Sequence, residues 1–132
     1  VNLEQSMHKS KLNGFIIDCH TDDLEAAASF WSRALGMPVH EFPGSENDSY
    51  RGLTDAQHGL DIEVQKVDHP SRVHLDIATD DIDAEVLRLE ALGAKRVRPV
   101  QGWWVMEAPT GQRFCVVRAK QADFERRANT WE

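Results

Sequence analysis

The sequence is short of several things. Its 132 residues hold two cysteines, Cys19 and Cys115. That is too few for a disulfide-built scaffold, and reduced thiols in a cytoplasmic protein are expected. No apolar run approaches the roughly 20 residues that span a bilayer, so no membrane partner is expected. The opening stretch VNLEQSMHKSKL has no apolar signal-peptide core. Positive charge is also scarce: 15 Lys and Arg stand against 22 Asp and Glu, for a net charge of −7. The basic residues are scattered, with short clusters only at Lys95-Arg96 and Arg126-Arg127. Phosphate backbones reward clustered Lys and Arg, which argues against a nucleic-acid partner. The length suits one domain spanning residues 1–132 with a single sizeable core.

What the chain does have is an internal repeat. TDDLEA at 21–26 recurs as TDDIDA at 79–84, 58 positions later (79 − 21 = 58). In the first copy the apolar run from Phe15 to Cys19 reads as a strand. Asp22 then stands at a helix N-cap, with Glu25 completing a capping-box pattern. Leu24, Ala27, Ala28, Trp31 and Leu35 follow at helical spacing, and Gly36 suits the C-cap. In the second copy Ile82, Val86, Leu89 and Leu92 form the stripe, with Gly93 near its end. Strand-like runs separated by turn residues follow each helix, at 38–42, 50–54 and 60–67, then at 96–100, 103–107 and 113–118. The expectation is two strand–helix–strand–strand–strand modules, about 13–68 and 72–119, with a tail at 120–132. In the tail Phe124, Ala128 and Trp131 recur at helical spacing and predict a small helix over an apolar edge.

Strand parity divides the side chains into two faces. Phe15, Ile17 and Cys19 oppose Ile16, Asp18 and His20. Ile62 and Val64 oppose Asp61, Glu63 and Gln65. Val73, Leu75 and Ile77 oppose His74 and Asp76, and Phe114 and Val116 oppose Arg113, Cys115 and Val117. The apolar faces suit covering helices. If the strands curl, Asp18, His20, Glu63, Gln65, His74, Asp76 and Cys115 line a concave ligand surface. The alternative is a hydrated sheet face.

Three segments carry a family resemblance: FWSRALGMPV, RVHLDIATDDIDAEVLRLEALGA and WVMEAPTGQRFCVV. In that order they resemble the glyoxalase/bleomycin-resistance/dioxygenase group, the vicinal oxygen chelate superfamily, and within it the glyoxalase-like domain branch. The resemblance implies an α+β fold of two βαβββ modules whose mixed sheet curves into a cup, with helices on the convex face. It also implies a homodimer.

Metal-using members of the superfamily draw ligands from the first, fourth, fifth and eighth strands. Alignment puts Ile16 at the first position, Glu63 or Gln65 at the fourth-strand position, His74 at the fifth and Cys115 at the last. Ile16 has no lone pair, and a thiol suits softer metals than Mg or Mn. The expectation is therefore a degenerate metal site and no cofactor. A divalent ion on His74, Glu63 and Cys115 is the alternative. His74 and Asp76 are the candidates for acid–base work. Trp103 and Trp104 point to opposite faces, and the resemblance selects Trp104 for the cup, where its indole stacks on a planar ligand. The implied function is binding of a small organic molecule in the cup. The alternative is a lyase, isomerase or dioxygenase with unconventional ligands around His74.

Overall fold

The computed structural model describes residues 7–120 and 122–132. The part of the opening stretch before Met7, and Gln121 in the tail, lie outside the described residues. The elements run β1 (His8–His20), α1 (Leu24–Leu35), β2 (Val39–His40), a 3-10 turn (Gly44–Asp48), β3 (Tyr50–Thr54), β4 (Asp61–Val67) and β5 (Arg72–Thr79). Then come α2 (Ile82–Ala91), β6 (Lys95–Val100), β7 (Trp103–Glu107), β8 (Arg113–Arg118), α3 (Phe124–Arg127) and β9 (Asn129–Trp131). Strand hydrogen bonding follows the order β2-β3-β4-β1-β5-β8-β7-β6, with β9 paired to β1. The β1–β4 and β5–β8 pairings are parallel, and β2–β3, β3–β4, β6–β7 and β7–β8 are antiparallel. This is a mixed α+β sheet. The chain divides into two compact units, residues 14–74 and residues 1–13 with 75–132.

The TDD repeat turns out to be a capping device used twice. In the first copy Thr21 Oγ1 accepts the amide of Asp23 at 3.0 Å, and Asp23 Oδ1 accepts the amide of Ala26 at 3.0 Å. In the second, Thr79 Oγ1 accepts the amide of Asp81 at 3.1 Å, and Asp81 Oδ1 accepts that of Ala84 at 3.1 Å. The cap is therefore the second aspartate of the pair, Asp23 and not Asp22. Glu25 then falls in the first turn and bonds Arg51 Nε at 2.8 Å instead of closing a capping box. Such a cap is worth about 1 kcal/mol. At the far end Gly36 adopts φ 70°, the left-handed turn that ends α1.

In the unit of residues 14–74, α1 covers one face of β1, β3 and β4. Ile17, Leu24, Leu53, Ile62 and Val64 are buried there, with Phe15, Cys19, Ala27 and Trp31 packed against them. Each such side chain contributes about 1.5–3 kcal/mol through burial. Leu35, expected on this stripe, is exposed. The parallel pairing of β1 with β4 needs Gly14, because a Cβ there would lie 1.8 Å from the Asp61 carbonyl oxygen.

In the other unit, Val86, Leu89, Ala94, Met106, Phe114 and Val116 form the core between α2 and β7–β8, with Ile77, Ile82, Trp104 and Ala108 against it. Two expectations fail here. Leu92 is exposed, since α2 ends at Ala91, and Leu75 is exposed, while Ile77 packs against the core. The tail also differs from a continuous helix. Phe124 is buried in the single turn of α3, and the chain then extends as β9 along the start of β1, pairing His8 with Trp131 and Ser10 with Asn129.

A polar cluster fixes that tail. Glu85, fully buried on α2, accepts from Arg88 Nε at 2.9 Å and Nη2 at 2.8 Å, and lies 2.7 Å from His8 Nε2. The Arg88 guanidinium lies 3.9 Å from the Trp131 ring centroid, and Trp131 Nε1 donates to Ser10 Oγ at 2.8 Å.

Candidate functional site

Within residues 14–74, β1 runs parallel to β4 and aligns Asp18 with Gln65 and Ile16 with Glu63. β3 continues these rows with Tyr50 beside Gln65 and Gly52 beside Glu63. All of these lie on the face opposite Ile17, Ile62 and Val64. Glu63 and Gln65 therefore share one side of β4, with Gln65 in the row of Asp18.

The expected residues that come together here are Asp18 and His74. His74 Nδ1 lies 2.8 Å from Asp18 Oδ2, joining the end of β1 to the start of β5. The Asp18 carboxylate is 2% exposed and the His74 side chain 13%. Arg72, two residues before His74 and so on the same side of the strand, places Nε 3.8 Å from the same oxygen. Asp18 Oδ1 is buried and has no hydrogen-bond partner among the described residues. A buried carboxylate accepting from Nδ1–H fixes the imidazole ring and its tautomer, leaving Nε2 as the basic nitrogen. Chemically the pair is a positioned hydrogen-bonding and proton-accepting group.

Other expected residues are placed differently. His20 ends β1 in an exposed position, where its amide donates to Ser71 Oγ at 3.0 Å. Asp76 and Cys115 belong to the other unit, where they are register partners across β5 and β8 with donor atoms within 4.8 Å of each other. Asp76 is buried. Trp104 corrects the expectation that it faces the polar side. It is the register partner of Val116 and packs against the core beneath α2, with the Arg96 guanidinium 5.2 Å from its ring centroid. Val105, the partner of Cys115, marks the polar side, so alternation puts Trp103 on that side.

Two residues escaped the sequence reading. Arg72 carried a signal, its parity with His74. His40 carried little, because its strand has only two residues. Its ring lies over Gly52, where a Cβ would come within 2.0 Å of Nε2, and Nδ1 lies 2.9 Å from Thr54 Oγ1.

The superfamily's usual divalent-metal set does not fit these residues. The first-strand position is Ile16, buried and without a donor atom, and the last-strand position is Cys115, a thiol. A carboxylate- or imidazole-rich Mg, Mn or Fe site needs such donors at both points. The thiol of Cys19, on the helix side, is disfavoured as a thiolate: burial pushes its pKa up, the hydrogen bond with Trp31 offsets part of that, and the Asp18 charge adds to the rise.

Mixed sheet, twin helix caps and a polar strand face define an α+β protein of two repeated modules. Residues 14–117 match the family model described as a glyoxalase-like domain, and the chain belongs to that family. It lies in the vicinal oxygen chelate superfamily. No curated protein matches the chain. Among solved structures, it is similar to a hypothetical protein from Bacillus halodurans, with 13% identity, TM-score 0.62, and coverage of 85% of this chain and 96% of that one. It is similar to methylmalonyl-CoA epimerase from Mycobacterium tuberculosis, with 16% identity, TM-score 0.61, and coverage of 83% and 88%. A structure titled NAD-dependent benzaldehyde dehydrogenase from Legionella pneumophila aligns with 10% identity, TM-score 0.59, and coverage of 80% and 99%. At these identities the likeness is one of fold, and the three names share no activity.

Proposed function

We propose that the protein binds a small organic molecule on the polar face of its strands, with the Asp18–His74 pair as the polar anchor and without the superfamily's usual divalent ion. The observation that carries this reading is the 2.8 Å contact between His74 Nδ1 and a carboxylate that is 2% exposed. Burying a carboxylate is costly unless it is paired, and this one orients a histidine that still reaches the surface. Gln65 and Tyr50, in the row of Asp18, extend the polar surface, and Arg72 adds a cation beside it. Glu63 stands one row away, with Ile16 and Gly52. A solved neighbour, a methylmalonyl-CoA epimerase at 18% identity and TM-score 0.54, holds methylmalonyl-CoA. That supports a small organic ligand as the class and says nothing of its identity. A homodimer is the assembly expected from the superfamily.

The test is a thermal-shift screen of small organic acids, amines and acyl thioesters on the full chain, followed by calorimetry. A specific ligand stabilises the folded state by an amount that grows with its concentration above Kd. His74→Ala and Asp18→Asn should each weaken that ligand about tenfold or more, through loss of a charge-assisted hydrogen bond. Binding that is unchanged in both variants overturns the reading.

The second reading is a metal-dependent lyase, isomerase or dioxygenase with unconventional ligands around His74. The proximity of Asp76 to Cys115 favours it, since thiolate and carboxylate both bind zinc. Stoichiometric metal in protein purified without chelator, lost in both Cys115→Ala and His74→Ala, replaces the first reading with this one.

A further inference from the structure

In the unit of residues 1–13 and 75–132, the start of α2 and the β6–β7 turn border a groove of about 300 Å³. That is the lower end of the range for small-ligand sites. Asp81, Asp83, Pro99, Trp103, Trp104 and Arg118 line it. None of them belongs to the Asp18–His74 pair.

The two indoles and the proline supply flat apolar surface. The Arg96 guanidinium already lies 5.2 Å from the Trp104 ring centroid, so Trp103 is the indole offered to a ligand cation. The groove also carries charges of both signs. Asp81 Oδ1 is engaged as the helix cap, accepting from Ala84 at 3.1 Å. Asp83, exposed in the first turn of α2, offers the groove a carboxylate whose charge also acts on Arg96, and Arg118 is exposed as well. A purely cationic ligand meets Arg118 unfavourably, and a purely anionic one meets Asp83. A molecule with one ammonium, one carboxylate and a flat apolar body satisfies the charged groups and the indoles together.

We infer that this groove binds a small zwitterion of the amino-acid type with an aromatic side group. The probe is L-phenylalanine, titrated into the full chain while the indole N–H resonances are followed by NMR, with Trp103→Phe used for assignment. The expected result is saturable shifts at Trp103 and Trp104 and none at Trp31. Phenethylamine and 3-phenylpropionate, which each lack one of the two charges, should bind about tenfold more weakly or worse. Asp83→Asn and Arg118→Gln, both at exposed positions, should weaken phenylalanine, and His74→Ala should leave it unchanged. Absence of saturation at about 20 mM, roughly twenty times the ~1 mM that corresponds to about −4 kcal/mol, overturns the inference. So does equal affinity for all three probes, or full affinity in both groove variants.

Discussion

His8 Nε2 and Glu85 Oε1 lie 2.7 Å apart although 77 residues separate them, and the carboxylate is wholly shielded from solvent. Arg88 closes the other side of Glu85 with two hydrogen bonds. Removing one member of a buried ion pair leaves its partner's charge uncompensated, at a cost of about 3–5 kcal/mol. Glu85→Ala should therefore lower the urea-unfolding free energy by about that much, and Glu85→Gln by less because it keeps the volume and one acceptor. A loss below about 1 kcal/mol for Glu85→Ala contradicts the pairing.

The same carboxylate predicts an acid limb. Burial alone raises the Glu85 pKa, but hydrogen bonds from Arg88, His8 and Ser10, with the Arg88 charge, outweigh it and hold the group below the ordinary carboxylate value. A folded pKa below the unfolded one means that the unfolded chain binds the proton more tightly. The stabilisation is thus fully present above the unfolded value and is lost as pH falls through the folded one. Urea midpoints measured from neutral pH down through roughly pH 5 to 3 should fall more steeply for the natural sequence than for Glu85→Gln. Parallel limbs refute the assignment.

Two glycines should respond to the same change by different amounts. At Gly14 an added Cβ meets the Asp61 backbone, with the carbonyl oxygen 1.8 Å away, and β4 cannot move without breaking its register with β1. Gly14→Ala should cost about 3 kcal/mol or more. At Gly52 the added Cβ meets only the His40 ring, 2.0 Å from Nε2. That exposed ring can swing out, losing its contacts with Thr54 and Phe42, so Gly52→Ala should cost about 1 kcal/mol. Thermal unfolding of the two variants separates the cases.

Much of this architecture was legible because apolar periodicity reported real burial. Ile62 with Val64 and Phe114 with Val116 face the cores as their alternation required, and β3, β7 and β8 have the predicted limits. The start of β1 was illegible because its buried residues are polar. His8 and Ser10 are inside only because Glu85 and Trp131 satisfy them from far along the chain. β9 was misread because three residues cannot display a period of two, and Trp131 falls at helical spacing from Phe124 by coincidence. At the candidate site, the parity argument placed Asp18 and His74 on one side of their strands but left the histidine's carboxylate partner open. The structure assigns Asp18. Trp104 went wrong because adjacent indoles carry equal hydrophobicity, so nothing local says which of them meets Val116.

The closing strand offers the last test. Trp131 makes two contacts that differ in kind: its ring lies under the Arg88 guanidinium at 3.9 Å, and its Nε1 donates to Ser10 Oγ at 2.8 Å. Trp131→Phe keeps a ring for the cation and loses the hydrogen bond, whereas Trp131→Ala loses both. A cation over a partly desolvated indole is worth about 0.5–2 kcal/mol. The hydrogen bond adds about 1 kcal/mol and leaves a buried hydroxyl without its donor when it is lost. Destabilisation should therefore rise from Phe to Ala. In a double-mutant cycle, Arg88→Met with Trp131→Ala should show a coupling of about 0.5–2 kcal/mol. A coupling near zero means that the cation contact does not hold the tail, which then rests on the hydrogen bond to Ser10 and the three pairings of β9 with β1.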